Sequence, residues 1–109
     1  MNYKVKTIAV FEKQAKRLIK KYTSLKKELF LLIQLLKEKP EQGTQIGKNC
    51  YKIRISIASK AKGKSGGARV ITNFVVNEDT IYLLSIYDKS EKENLTDKEL
   101  FELLKYIPE

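Results

Sequence analysis

The chain has 109 residues, 42% of them hydrophobic, a formal net charge of +9, a single cysteine and no histidine. That length predicts one domain over residues 1–109 with one modest core, and the ordinary apolar fraction argues against a disordered tail. No apolar run approaches the about 20 residues of a membrane span, and without histidine the chain lacks both the usual near-neutral general base and the common zinc-ligand patterns.

The charge is uneven. Residues 1–64 hold seventeen Lys/Arg against four acids, net +13, whereas residues 65–109 hold five against nine, net −4. An excess of that size on a small chain is an electrostatic footprint for nucleic acid or another polyanion; the alternative is a merely solvated surface. The first residues, Met1-Asn2-Tyr3-Lys4-Val5-Lys6, lack the apolar core of a signal peptide, so a cytoplasmic location is expected. Cys50 cannot form an internal disulfide and is expected to be an inert structural thiol.

Residues 4–9 are consistent with a short first strand. Phe11, Ala15, Leu18, Ile19 and Tyr22 then recur at helical spacing, with Lys13, Lys16, Arg17, Lys20 and Lys21 among the other positions. The result is an amphipathic helix with a basic outer face. After Thr23, Ser24 is placed to cap a second helix with Leu25, Leu29, Leu32, Ile33 and Leu36 on its inner stripe. Phe30, Leu31 and Leu35 widen that apolar face, either as a docking surface or because the helix is buried on both sides by the sheet and the last helix. Pro40 ends the helix, and Gly43 and Gly47 are expected to keep the next stretch in loop.

From Tyr51 the period becomes two. Tyr51, Ile53, Ile55 and Ile57 face one way, and Lys52, Arg54, Ser56 and Ala58 the other. Residues 68–76 and 80–87 read as two further strands joined by Asn77-Glu78-Asp79, completing an antiparallel meander. Thr96-Asp97-Lys98-Glu99 is a capping box, with Leu95 and Leu100 at staple positions. The helix it opens carries Leu100, Leu103, Leu104 and Ile107 and stops before Pro108. The fold class expected is α+β, in the order β-α-α-β-β-β-α: an antiparallel sheet with an N-terminal helical hairpin and a C-terminal helix.

Three clusters carry chemistry. The loop Ser59-Lys60-Ala61-Lys62-Gly63-Lys64-Ser65-Gly66-Gly67 holds three lysines at alternate positions, three glycines and no acid, which suits close approach to a phosphodiester. Gly63-Lys64-Ser65 is not a P-loop, because position 58 is Ala and a strand rather than a helix follows. Arg54 and Arg69 flank the loop from the two adjoining strands, making a basic clamp. Tyr87-Asp88-Lys89-Ser90-Glu91-Lys92 ends the third strand, which a meander places near the start of the second, so Tyr87, Lys89 and Lys92 are expected on the surface that carries Arg69.

Three runs, Tyr51–Ile55, Gly63–Ile71 and Ile86–Leu95, together resemble the RelE/HigB toxins of the RelE/ParE superfamily of bacterial toxin–antitoxin pairs, over roughly residues 10–106. The match is most specific at K-S-G-G-x-R-V and Y-x-K-x-E-K-x-x-L, and the element order is also that of the family. The resemblance implies a ribosome-dependent endoribonuclease that cuts mRNA in the ribosomal A site and is silenced by a cognate antitoxin, with no metal or other cofactor. It also leaves open a relative that poisons DNA gyrase, and a plain nucleic-acid-binding module remains a third reading. Under the nuclease reading the ribose 2′-hydroxyl attacks the adjacent phosphate and the 5′-oxygen leaves. Arg69, matching the family's G-G-x-R arginine, stabilises the charge. Lys62, Lys64, Lys89 and Lys92 supply an amine base or a proton donor, Tyr87 stacks on a base or positions the 2′-hydroxyl, and Glu91 is an alternative base. Arg54 and Lys60 contact the RNA, while Lys13, Lys16, Arg17, Lys20 and Lys21 grip ribosomal RNA.

Overall fold

The computed structural model describes residues 2–58 and 66–108. Strand β1 (Lys4–Thr7) leads into helices α1 (Ala9–Lys21) and α2 (Leu25–Glu38). Strands β2 (Thr44–Gly47), β3 (Cys50–Ile55), β4 (Ala68–Val75) and β5 (Thr80–Asp88) follow, and helix α3 (Asp97–Leu104) comes last. The five strands form one sheet in the order β1-β5-β4-β3-β2.

The helical hairpin forms where the apolar spacing places it. Phe11, Ala15 and Leu18 are the buried positions of α1, and Leu25, Leu29, Leu32 and Leu36 those of α2. Ser24 occupies the N-cap position of α2, but its backbone is in the α region (φ −65°, ψ −19°) and its side chain makes no capping bond. An N-cap needs an extended backbone to aim its oxygen at the first turn. The outer residues Phe30 and Leu31 are 59% and 52% exposed, so the reading in which α2 is buried on both sides does not hold.

The meander β3-β4-β5 has the expected antiparallel pairing. Alternation on β3 is as read: Tyr51, Ile53 and Ile55 are buried, and Arg54 is exposed. The first of these faces meets α2, since Leu32, Ile53 and Ile55 line one recess. The opposite face receives α3, since Leu95 and Leu100 share a recess with Lys52 and Ile71.

Three expectations are corrected. Residues 44–47 are a strand, not loop. Gly43 and Gly47 (φ +86° and +94°) bracket it, and Lys48 and Asn49 (φ 55° and 60°) form a two-residue hairpin into β3. The buried Asn73 amide steadies that turn by donating to the carbonyls of Lys48 and Asn49 at 3.0 and 3.4 Å. The sheet is mixed rather than antiparallel, because β1 runs parallel to β5, with Lys4 opposite Thr80 and Thr7 opposite Leu83. Finally, α3 ends at Leu104, so Ile107 lies in the turn beyond it.

Strand β1 covers only the first part of β5. Past Leu83, α1 lies along β5 instead, and the Gln14 side-chain oxygen accepts from the Ile86 N–H (3.0 Å) and the Ser85 hydroxyl (3.1 Å). A side chain thereby satisfies a strand N–H that no neighbouring strand reaches. This contact fixes the end of β5, and the site, relative to α1.

Candidate active site

The meander places Arg54, Arg69 and Tyr87 in one cross-strand row. Arg54 is opposite Arg69, and Arg69 opposite Tyr87, so all three lie on the α3 side of the sheet. Directly opposed side chains have Cβ atoms about 4.5–5.5 Å apart, and like charges there destabilise the sheet. Arg54 is exposed, whereas Arg69 is 2% and Tyr87 6% exposed. The Arg69 guanidinium donates to the Ala68 carbonyl at 3.1 Å. Burial, and then the charge of Arg54, lower the pKa of Arg69, but a guanidinium stays protonated. Burial raises the Tyr87 pKa against the opposing pull of Arg69, the Leu95 backbone and Lys92. Its hydroxyl is buried, with the Leu95 backbone directed at it but no well-formed hydrogen bond among the described residues.

Glycine 67 opens this row. A Cβ there would stand 2.1 Å from the Ile55 carbonyl oxygen, so only glycine lets β4 begin this close to β3. Its own carbonyl accepts from the Lys89 N–H at 3.0 Å, which ties the turn after β5 to the start of β4. That turn is strongly held. Asp88 is fully buried; its carboxylate accepts from the Tyr22 hydroxyl (2.8 Å), the Ser90 N–H (2.9 Å) and the Ser90 hydroxyl (2.7 Å). Its carbonyl accepts from the N–H groups of Glu91 and Lys92, both at 3.0 Å.

The predicted cations separate into groups. Lys89 and Lys92 lie on this turn, half-buried, and Lys92 pairs with Glu99 of α3 at 2.5 Å. Lys13, Lys16 and Lys20 are exposed on α1. Arg17 and Lys21 point to the turn and pair with Glu91 at 2.6 and 3.3 Å. Those contacts, Arg17's hydrogen bond first, hold the Glu91 pKa below the usual carboxylate range, which disfavours the general-base role considered for it. Lys60, Lys62 and Lys64 lie outside the described residues. Sequence reasoning did not pick out Tyr22, Asp88 or Glu99 at the site. Asp88 followed by Ser90 is a local turn signal, but its link to Tyr22 spans 66 positions and leaves no trace in spacing.

Among the described residues no group of three or more Cys, Asp or Glu is placed to hold a metal ion, and no helix is long and apolar enough to cross a membrane. Cys50 is fully buried. Burial, the largest influence, raises its thiol pKa against the Asn73 hydrogen bond and the charge of Lys48, which fits an inert thiol.

Comparison with known structures places the architecture. A double arginine-to-alanine variant of E. coli toxin RelE in the free state superposes with a TM-score of 0.66 at 17% identity, covering 99% of this chain and 100% of that one. The isolated E. coli RelE toxin gives 0.62 at 13% identity, covering 96% and 99%. At these identities the likeness is one of fold. The model of the family described as the RelE toxin of the RelE/RelB toxin–antitoxin system matches residues 4–107. The chain therefore belongs to the RelE toxin family of toxin–antitoxin systems.

Proposed function

We propose that this chain is a ribosome-dependent mRNA endoribonuclease, acting in the cytoplasm as a single domain over residues 1–109 and held silent by a cognate RelB-type antitoxin. The observation that carries the reading is the Arg54–Arg69–Tyr87 row. Two arginines stand opposite each other, one of them buried and hydrogen-bonded to the Ala68 carbonyl, which concentrates positive charge at one point of the sheet. That charge suits an anion, and the anion of the reaction is the phosphate at which negative charge gathers.

In the proposed reaction a bond forms between the 2′-oxygen and phosphorus, and the bond from phosphorus to the 5′-oxygen breaks. One group removes the 2′-hydroxyl proton and another delivers a proton to the leaving oxygen. Arg69, with Arg54, neutralises the non-bridging oxygens. The raised pKa of Tyr87 keeps it a phenol near neutral pH, so it acts as a donor or stacking surface rather than a base. Proton transfer falls to Lys89 and Lys92 of the turn and to Lys62 and Lys64 of the loop, whose Lys60 contacts RNA. Arg69 is covered in the free protein, so substrate must reach it through local opening. A ribosome that presents mRNA in a fixed orientation supplies the positioning this requires. The stripe of Phe30, Leu31 and Leu35 is the apolar surface proposed for the antitoxin.

The low exposure of Arg69 also favours a second reading, a toxin of the same fold that acts on DNA gyrase and leaves this row structural. Induced expression of wild type and Arg69→Ala, with growth followed and mRNA 5′ ends mapped, separates the two. In-frame cuts and growth arrest, both lost in the variant, are the expected result. Arrest without cuts would favour the gyrase reading, and no arrest from soluble protein would favour a binding module.

A further inference from the structure

We propose that Arg17 and Glu91, with Tyr22 and Asp88 beside them, form a clamp between α1 and the 88–92 turn that positions Lys89 and Lys92 against the arginine row. Arg17 and Lys21 are then positioning residues rather than RNA contacts. The inference rests on the nuclease reading above and deepens it.

The geometry is specific. Arg17 spans both oxygens of Glu91, at 2.6 and 3.4 Å, and Lys21 adds a contact at 3.3 Å. One residue beyond Lys21, the Tyr22 hydroxyl reaches the buried Asp88 carboxylate at 2.8 Å. One end of one helix thus holds two side chains of a single short turn. That turn's other anchors lead straight to the site, through the Lys89 N–H to Gly67 and through Lys92 to Glu99. Arg17 and Glu91 are solvent-exposed, their side chains 59% and 36% accessible. Such exposed pairs contribute little to stability. A two-pronged guanidinium–carboxylate contact does fix orientation. Lysines that transfer protons must be held to within a fraction of an ångström, and Lys89 and Lys92 have long flexible stems. Rigidity has to come from the backbone that carries them, and α1 anchors it from the side opposite Gly67 and Glu99.

The test is a charge-reversal cycle read by single-turnover mRNA cleavage on programmed ribosomes. Its variants are Arg17→Glu, Glu91→Arg and the double reversal, with ribosome affinity and thermal midpoint measured for each. We expect each single reversal to slow cleavage by roughly tenfold or more at unchanged ribosome affinity, and the double reversal to recover to within about threefold of wild type. A double reversal as slow as the product of the singles, with the loss appearing in ribosome affinity, would make Arg17 an RNA contact and overturn the clamp. So would single reversals that cut at the wild-type rate. If a reversal prevents folding, Glu91→Gln and Arg17→Lys replace it, with Gln slowing cleavage and Lys slowing it less, because the charge survives and the two-pronged contact does not. A wild type that leaves mRNA intact removes the nuclease reading. The clamp is then decided by amide exchange at residues 88–92, which must quicken in Glu91→Arg and recover in the double reversal.

Discussion

Tyr87 is where stability and function separate most cleanly. Its hydroxyl is buried with only the Leu95 backbone near it and no well-formed hydrogen bond among the described residues, and a buried polar group left poorly satisfied costs up to about 1–3 kcal/mol. Tyr87→Phe should therefore leave the thermal midpoint unchanged or raise it, while slowing mRNA cleavage; a fall in midpoint with cleavage intact would make the hydroxyl structural. Arg69→Ala relieves the opposition to Arg54 but also empties a buried, hydrogen-bonded position. Cleavage should drop by about 10²–10³-fold, the usual cost of removing one preorganised donor at a developing charge, a loss far larger than any accompanying shift in thermal midpoint explains. Arg69→Lys should fall between, because the point charge survives and the fork does not. Acid should loosen the turn. Glu91, through Arg17, and Glu99, through Lys92, both have pKa values lowered in the fold. The stability they contribute is fully present above the ordinary carboxylate value of about 4.3 and is lost as pH falls through their lower folded values. Both pairs are exposed and each is worth little, so Glu91→Gln should flatten the acid side of a thermal-midpoint profile only slightly. The grouping of Arg54, Arg69 and Tyr87 was legible from alternation on β3 together with the order of a meander. The partners of Asp88 and Glu91 were not, because α1 reaches them across more than 60 positions, and Arg17 on the outer face of a helix looks like any solvated cation.

At the scale of elements, the sequence was most readable where a local rule closes on itself. The capping box of α3 forms as its spacing requires, with the Thr96 hydroxyl accepting from the Glu99 N–H at 3.1 Å and Glu99 accepting from the Thr96 N–H at 2.9 Å. Thr96→Ala should cost about 1 kcal/mol, a typical loss for an N-cap, read as a lowered thermal midpoint. Because the Glu99 carboxylate also holds Lys92, the same change should perturb cleavage, which an isolated cap would not. Strand β2 was missed for the opposite reason. Two glycines and a Lys-Asn pair outweigh four residues of modest strand propensity, although they are also what turns β2 back onto β3, and the Asn73 amide that steadies this turn comes from a strand 25 positions away. The parallel placement of β1 was likewise illegible, since no local pattern distinguishes an edge strand beside β5 from one beside β2. Gly67 is the element-scale counterpart of the site. Gly67→Ala must push the Ile55 carbonyl aside, so it should lower the thermal midpoint and cleavage together.

Across the whole molecule the uneven charge bears on the proposed encounter with ribosomal RNA. The excess of positive charge belongs to residues 1–64, and once Arg17 and Lys21 are paired with Glu91 the exposed α1 cations that remain for RNA are Lys13, Lys16 and Lys20. Each lysine that neutralises a phosphate releases a counterion, so ribosome affinity should fall steeply with salt. Replacing Lys13, Lys16 and Lys20 together with glutamine removes up to three such contacts. The log–log slope of affinity against salt should become shallower by about two units, with the single-turnover cleavage rate on saturated ribosomes unchanged. Changing Arg17 alone should do the reverse, slowing cleavage while leaving the slope intact. If instead Arg17→Gln flattens the slope as much as any one of the lysines, the whole outer face of α1 serves as a single electrostatic surface and Glu91 is only a weak competitor for it.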